Sequence, residues 1–315
     1  MKFKIILCVA VLAGIPAAGA VLLPYIGAEY ILRQHGPTIG PRPSQPVSGR
    51  WFDDYFLVQP LDASTYAIGE PRYYQGNYSY LLIGKRRALL FDAGTGQRDI
   101  VPVVRSLTPL PVTVMPSHLH FDHVGALGRF EQTALLDLAP LRERIRNGRL
   151  SLRRYEFLGF ADSLRAPDFA VDEWWAPDST VELGDRTVRV IWSPGHTSSS
   201  ASLYDRNRRQ YFAGDFIYPG TLYAFLPDAS RSAYLTTTRK LLAILDPGTH
   251  LYAAHMADSP GTISAPELEV ADLRALEKTL VRLEAGQLRP VGYFPRVYAV
   301  RGAITFGTGY AWNNR

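Results

Sequence analysis

A chain of 315 residues that is 47% hydrophobic and 20% charged has enough apolar material for a large core, and its composition is that of a globular protein rather than a disordered or fibrous one. The formal net charge of +5 is mild, and Lys2, Lys4 and Arg33 against Glu29 account for +2 of it; the rest is too small to argue for a nucleic-acid partner, and none is expected. The one cysteine, Cys8, excludes an intrachain disulfide and a cysteine-ligated metal site.

Residues 1–35 read as a membrane signal. Lys2 and Lys4 precede an uncharged run from Ile5 to Ala28. Read whole, the run is long enough to span a bilayer as an anchor; read with the small residues Ala18-Gly19-Ala20 as a cleavage site, it is a signal peptide. Either way the two lysines stay on the cytoplasmic side. The rest is sent outward, to the periplasmic or exterior face of the inner membrane or, after cleavage, into secretion. Residues 36–50, rich in proline and glycine, form a linker or extended arm.

The remaining residues, 51–315, alternate strands and helices. Thr65–Ile68, Ser79–Ile83 and Ala88–Phe91 are strands by their aromatic and β-branched content. A helix over Arg98–Leu107 leads to the strand Val112–Met115. Residues 138–176 break the rhythm: a basic helix over Leu141–Asn147 is followed by Tyr155, Phe157, Phe160, Phe169, Trp174 and Trp175. This stretch reads as an insertion that covers the site, with plain packing as the alternative for each aromatic. Thr187–Trp192 is a strand. Ser202–Tyr204 and Gln210–Phe212 form a hairpin, and Arg231–Leu245 and Glu267–Leu283 are helices. Val297–Val300 and Ala303–Phe306 close the chain as a hairpin. Periodicity alone says α/β.

The chemistry lies in Ser117-His118-Leu119-His120-Phe121-Asp122-His123, which holds three of the seven histidines. A His-x-His pair on extended chain can reach one metal, and the Asp-His step that follows can reach a second. Imidazole and carboxylate suit Zn²⁺, with Fe and Mn as alternatives. The bland alternative is a surface cluster with Asp122 as a helix N-cap.

Four further pieces follow the same logic: Ala88 to Gly94 with Asp92 at a strand end, Ser193-Pro194-Gly195-His196-Thr197, Phe212-Ala213-Gly214-Asp215, and Tyr252-Ala253-Ala254-His255. In this order they resemble the metallo-β-lactamase superfamily, from about Phe56 to His255. The resemblance implies a four-layer αββα sandwich. It also implies two divalent metal ions: His118, His120 and His196 on one, Asp122, His123 and His255 on the other, and Asp215 bridging. For the last ligand His250 competes with His255. Asp92 is expected to orient a ligand rather than touch metal. Tyr218 is a candidate oxyanion donor, as in lactonase members, and Tyr223 and Phe225 are candidate walls.

The mechanism implied is attack on a carbonyl by a metal-bridging hydroxide, with Asp122 and Tyr218 as catalytic residues. Aspartate at position 215 argues against a true β-lactamase, and an outward location argues against a glutathione-dependent thioesterase of the glyoxalase type. The expected activity is hydrolysis of a carboxylic ester or lactone of small-molecule size. β-Lactam or phosphodiester hydrolysis is the alternative among enzymes. A non-catalytic, metal-binding envelope protein is the alternative from another class.

Overall fold

The computed structural model describes residues 39–159, 164–256 and 261–309. The expected anchor or signal at 1–35 and the aromatic Phe160 lie outside the described residues. No helix among the described residues is long and apolar enough to cross a membrane.

Two sheets stack face to face. The first has eight strands in the order β1-β2-β3-β4-β5-β6-β7-β10. They span Arg50–Trp51 (β1), Leu57–Asp62 (β2), Thr65–Glu70 (β3), Asn77–Ile83 (β4), Ala88–Phe91 (β5), Val112–Met115 (β6), Gln132–Leu136 (β7) and Glu173–Trp175 (β10). β8 (Arg149–Ser151) and β9 (Asp168–Ala170) form a separate small hairpin. The second sheet has six strands in the order β11-β12-β13-β14-β16-β17. These are Thr180–Glu182 (β11), Thr187–Trp192 (β12), Ala201–Asp205 (β13), Gln210–Phe212 (β14), His250–Tyr252 (β16) and Glu267–Glu269 (β17). A three-stranded sheet, β15-β19-β18, built from Thr221–Ala224 (β15), Arg296–Arg301 (β18) and Ile304–Thr308 (β19), flanks one end.

The sandwich follows from the two-residue period of a strand, which sends alternate side chains to opposite faces. Leu89 and Phe91 of β5 join Tyr80, Val188, Val190, Leu203 and Phe212 in a core between the sheets. Ala88 and Leu90 face the other way, into a core with Val103 and Val104 of the helix α1 (Val101–Leu107). On the far side, Tyr211 and Leu251 meet Tyr234 and Leu241 of α5 (Arg231–Ile244) and Leu273, Leu276 and Leu280 of α6 (Val270–Glu284). Three cores thus separate four layers, the αββα order. Three short helices, α2 (Phe121–Val124), α3 (Ala139–Arg142) and α4 (Arg154–Phe157), complete the set.

Two elements differ from expectation. The basic helix over Leu141–Asn147 stops at Arg142, because Asn147 and Gly148 both adopt positive φ (52° and 73°) and close a tight hairpin from Arg146 to Arg149. Asn-Gly is the strongest two-residue turn signal, and it wins over helix propensity. The helix expected over Glu267–Leu283 starts at Val270. Glu267–Glu269 pairs antiparallel with His250–Tyr252 instead, and Glu269 and Asp272 cap the helix reciprocally.

The stretch 138–176 contributes more to the body than to a cover. Phe157, Phe169 and Trp175 are buried in the cores, and β10 extends the first sheet beside β7. The proline-rich segment runs as an arm docked at two points: Ile39 bridges to Tyr73, and Val47 bridges to Ile263.

At the end of the sandwich away from the chemistry, the guanidinium of Arg186 is wholly buried. It donates to Asp205 Oδ2 (2.7 Å) in the second sheet and to the Ser64 carbonyl oxygen (2.9 Å) and Thr65 Oγ1 (2.8 Å) at the first sheet's β2–β3 turn. Gln210 of β14 adds bonds to Thr65 and Asp62, so the two sheets are clamped there by buried polar side chains with Arg186 at their centre.

Candidate metal centre

The site occupies the opposite end, where loops leave the C-terminal ends of parallel strands. β5 runs parallel to β6, and β14 parallel to β16. Such ends are where α/β sheets place ligands. The segment after β6 turns through His118 and His120 into α2, which carries Asp122 and His123. The segment after β12 carries His196. That after β14 carries Asp215, and that after β16 carries His255. Gly214 holds φ at 53°, and a Cβ there would press on Ser117 at 2.6 Å, so only glycine lets Asp215 approach the histidine segment.

All seven residues are buried, none more than 7% exposed. His118 Nε2 lies 2.8 Å from His120 Nδ1, which lies 3.1 Å from His196 Nε2, which lies 3.5 Å from Asp215 Oδ2. On the other side, His123 Nε2 and His255 Nε2 each lie 3.4 Å from Asp122 Oδ2. They lie 3.2 and 3.1 Å from Asp215 Oδ1. Asp215 therefore stands between the two groups of three, with Oδ2 also 3.1 Å from His255 Nε2. His250, the rival for the last position, is exposed at the start of β16 and paired with Glu267.

This donor set fits divalent ions. Donors in a tetrahedron at zinc–ligand distances sit about 3.3 Å apart, and the separations here run from 2.8 to 3.5 Å. Three ring nitrogens, His118 Nε2, His120 Nδ1 and His196 Nε2, converge on one another. His123 Nε2 and Asp215 Oδ1 are buried without a hydrogen-bond partner. A cation between such lone pairs accounts for all of them.

The charge states differ between the two groups. Burial, with the neighbouring imidazoles, pushes His118 well down and His120 down to about 3, leaving both neutral with lone pairs to donate. Burial works against ionisation of Asp122 and Asp215, but the positive charge of His123 and His255 outweighs it and holds both carboxyls below the usual range. His123 is correspondingly raised: burial lowers it, and Asp122, Asp92 and Asp215 overcome that.

Outer contacts fix the ligands. Asp92 ends β5 in the left-handed region (φ 66°), accepts the Ser117 N–H (2.5 Å) and lies 3.0 Å from His123 Nδ1. This is the orienting place expected for it. Ser117 Oγ contacts His118 Nδ1 (3.0 Å), and the Gln75 carbonyl oxygen faces His255 Nδ1 (3.3 Å). Asn77 escaped the sequence reading. Its amide donates to Asp122 Oδ2 (3.0 Å) and to the Asp122 carbonyl oxygen (3.2 Å), and its backbone bridges to His255. The available signal was an asparagine, a residue that strands disfavour, opening a strand that is largely aromatic and aliphatic. Glu70, raised by burial, accepts from Tyr55 and Thr95 and braces the loop after Asp92. A Cβ on Gly94 would overlap its carboxylate.

A cleft of about 330 Å³ opens over the cluster. Phe121, Leu158, Tyr223, Leu226 and Met256 give it apolar walls. Tyr218 lines it, its ring 5.2 Å from that of His255, but its hydroxyl donates to the Thr221 carbonyl oxygen rather than into the cleft. Phe225 stands behind the wall, packed on Tyr223. From the stretch 138–176, Leu158 is the described residue that reaches this cleft.

The comparisons with known proteins agree with this geometry. The model of the metallo-beta-lactamase superfamily matches residues 73–255, more than half of the chain. Acyl-coenzyme A thioesterase MBLAC2 of Gallus gallus is 28% identical over 222 residues, covering 62% of this chain and 78% of that protein. The hydroxyacylglutathione hydrolase of Bartonella quintana is 26% identical over 147 residues, covering 45% of this chain and 48% of that protein. Among solved structures, a metallo-beta-lactamase family protein from Thermus thermophilus superposes with a TM-score of 0.55 at 19% identity, covering 72% of this chain and 82% of that one. A metallo-beta-lactamase from Pontibacter korlensis does so at 0.54 and 16%, covering 72% and 99%. These structural likenesses speak for the fold. With the αββα layers, the buried histidine–aspartate cluster and the family match in agreement, the chain belongs to the metallo-β-lactamase superfamily and is a hydrolase of it.

Proposed function

We propose that the protein hydrolyses acyl thioesters with two divalent metal ions, zinc foremost. The observation that carries this reading is the cluster itself, with three donors on either side of one aspartate at the floor of an apolar cleft. His118, His120 and His196 would hold one ion, and Asp122, His123 and His255 the other, with Asp215 shared. When bound, such ions supply a water that ionises near neutral pH and positive charge for a carbonyl oxygen.

The chain's own groups do the rest. Asp92 sets the tautomer of His123 by facing its Nδ1, so that Nε2 is left to donate. Asn77 holds the Asp122 carboxylate at a fixed angle. Phe121, Leu158, Leu226 and Met256 strip water from an acyl group lying over the cluster. Ser117, the hydroxyl nearest the imidazoles, touches their outward nitrogens and is buried behind them, so it is no nucleophile.

The thioester class is favoured by the acyl-coenzyme A thioesterase and hydroxyacylglutathione hydrolase relatives. It revises the expectation of an oxygen ester or lactone, which set thioesterases aside on the strength of a location read from residues 1–35. The test is turnover by the zinc-loaded protein of acyl thioesters, aryl esters, lactones, a cephalosporin and a bis-aryl phosphodiester, each with and without chelator. Chelator-sensitive turnover greatest on thioesters supports the proposal. Turnover confined to esters or lactones restores the earlier class, and silence on all five with two ions bound removes the hydrolase assignment.

A further inference from the structure

We propose that the mouth of the cleft faces a lipid bilayer, with the loop 289–296 as its contact, so that the acyl chain is drawn from the membrane. The inference rests on the acyl-hydrolase reading above and adds where the substrate resides. Three observations meet on one side of the molecule.

The first is the loop between α6 and β18. Tyr293 is 92% exposed and Val291 77%, whereas the other exposed large apolar residues among the described ones, Phe52, Trp192 and Val281, stand near 40%. Arg289 and Arg296 bracket them. An aromatic ring and an aliphatic tip between arginines is the composition that settles at headgroup level, the ring at the interface and the guanidinium groups on phosphate.

The second is where that loop is rooted. Phe294 turns inward, its ring 5.5 Å from Phe225, whose ring is 5.0 Å from Tyr223 in the cleft wall. The loop stands one ring away from the cleft.

The third is where the N-terminal arm joins the fold. Ile39 bridges to Tyr73, and the Gly40 N–H donates to the Arg72 carbonyl oxygen (2.7 Å), just before Tyr74 and Gln75 of the cleft wall. Ile39 and Phe294 pack on the same hydrophobic cluster. Ten residues separate the uncharged run Ile5–Ala28 from Ile39, a reach of about 35 Å at full extension. With that run in a bilayer, the cleft side is held near the membrane. Val291 and Tyr293 alone would bind lipid weakly; a tether turns weak contact into a lasting one by raising the local concentration of surface.

The experiment uses the full chain reconstituted into vesicles of phosphatidylcholine with a minor fraction of phosphatidylglycerol. Cys8→Ser provides a background free of cysteine. Tyr293→Cys then places an environment-sensitive dye on the loop. Asn207→Cys places it on the exposed β13–β14 turn at the opposite end of the sandwich. A blue-shifted emission at position 293, quenched by spin-labelled lipid, with a water-like signal at 207, supports the proposal. Water-like signals at both positions, or failure of the chain to associate with vesicles, overturn it.

A kinetic arm adds Val291→Asp with Tyr293→Asp. KM for a long-chain acyl thioester presented in vesicles should rise about tenfold, while a short, water-soluble acyl thioester is turned over as before. Equal effects on both substrates would refute a membrane role for the loop. Absence of any thioester turnover would sink the thioesterase reading, and the dye would still decide the membrane contact.

Discussion

Replacing Asp92 by asparagine exchanges one carboxylate oxygen for an NH₂ group and leaves size and backbone preference almost intact, because asparagine tolerates the left-handed φ of 66° found there. One oxygen of Asp92 receives the Ser117 N–H and the other faces His123 Nδ1. In Asp92→Asn the amide oxygen keeps Ser117, and the NH₂ group meets His123. Nδ1 must then accept, which moves the ring proton to Nε2, the nitrogen aimed at Asp122 and Asp215. A protonated Nε2 is no metal ligand. Loss of an outer partner of this kind weakens metal binding by about 10- to 100-fold, or roughly 1.4 to 2.8 kcal/mol. Competition against a chromophoric chelator should show one of two ions weakened by that factor and the other nearly unchanged, with the metal-free melting temperature close to that of the parent. Two ions bound as tightly as in the parent would refute the tautomer argument. Equal weakening of both, with a fall in melting temperature, would assign Asp92 to the fold instead.

Four further outcomes follow. Arg186→Ala removes the shorter of the two ion pairs of Asp205 and leaves that buried carboxylate with Arg208 at 3.4 Å, which should lower stability in urea unfolding by about 3 kcal/mol while activity per bound metal is kept; a change below about 1 kcal/mol would show the pair idle. Metal binding should release protons at neutral pH, read by calorimetry in buffers of different ionisation enthalpy, because His123 and His255 are raised above their ordinary 6.5 and must give up a proton to donate. The sign extends to stability. The contribution of a raised histidine is full below 6.5 and is lost as pH climbs through its folded value, so the melting temperature of the metal-free protein should fall on the alkaline side while that of the loaded protein holds. Tyr218→Phe should leave kcat within about threefold, since the hydroxyl is engaged with Thr221; a loss near 100-fold would mean that it leaves that carbonyl for the substrate.

The metal cluster was legible because most of it is local: four donors within six residues, then three more, each placed after a recognisable strand. Asp92 could be read because a carboxylate ending a buried strand has few uses. Asn77 could not, since its relation to Asp122 spans 45 positions and appears only once β4 lies beside α2. Arg186 follows Gly184 and Asp185 and reads as a surface turn. Its burial arises from Asp205 and Thr65, which only the stacking of the sheets brings together. The short strand Glu267–Glu269 was absorbed into a helix because its three residues suit either period, and the pairing with β16 decided the matter. Where aromatics of 138–176 were expected over the site, three went into cores, which composition cannot tell from a lid.

The first sheet is drawn from residues 50–175 and the second from 180–269. Of the donors proposed for each ion, the earlier half supplies two, His118 and His120 for one and Asp122 and His123 for the other. The later half closes each set with one histidine and a share of Asp215. During synthesis the first half emerges with two incomplete grips and no means of finishing either. With the proposed donors divided in this way, a firmly held ion would certify that both halves have been made, folded and brought into register.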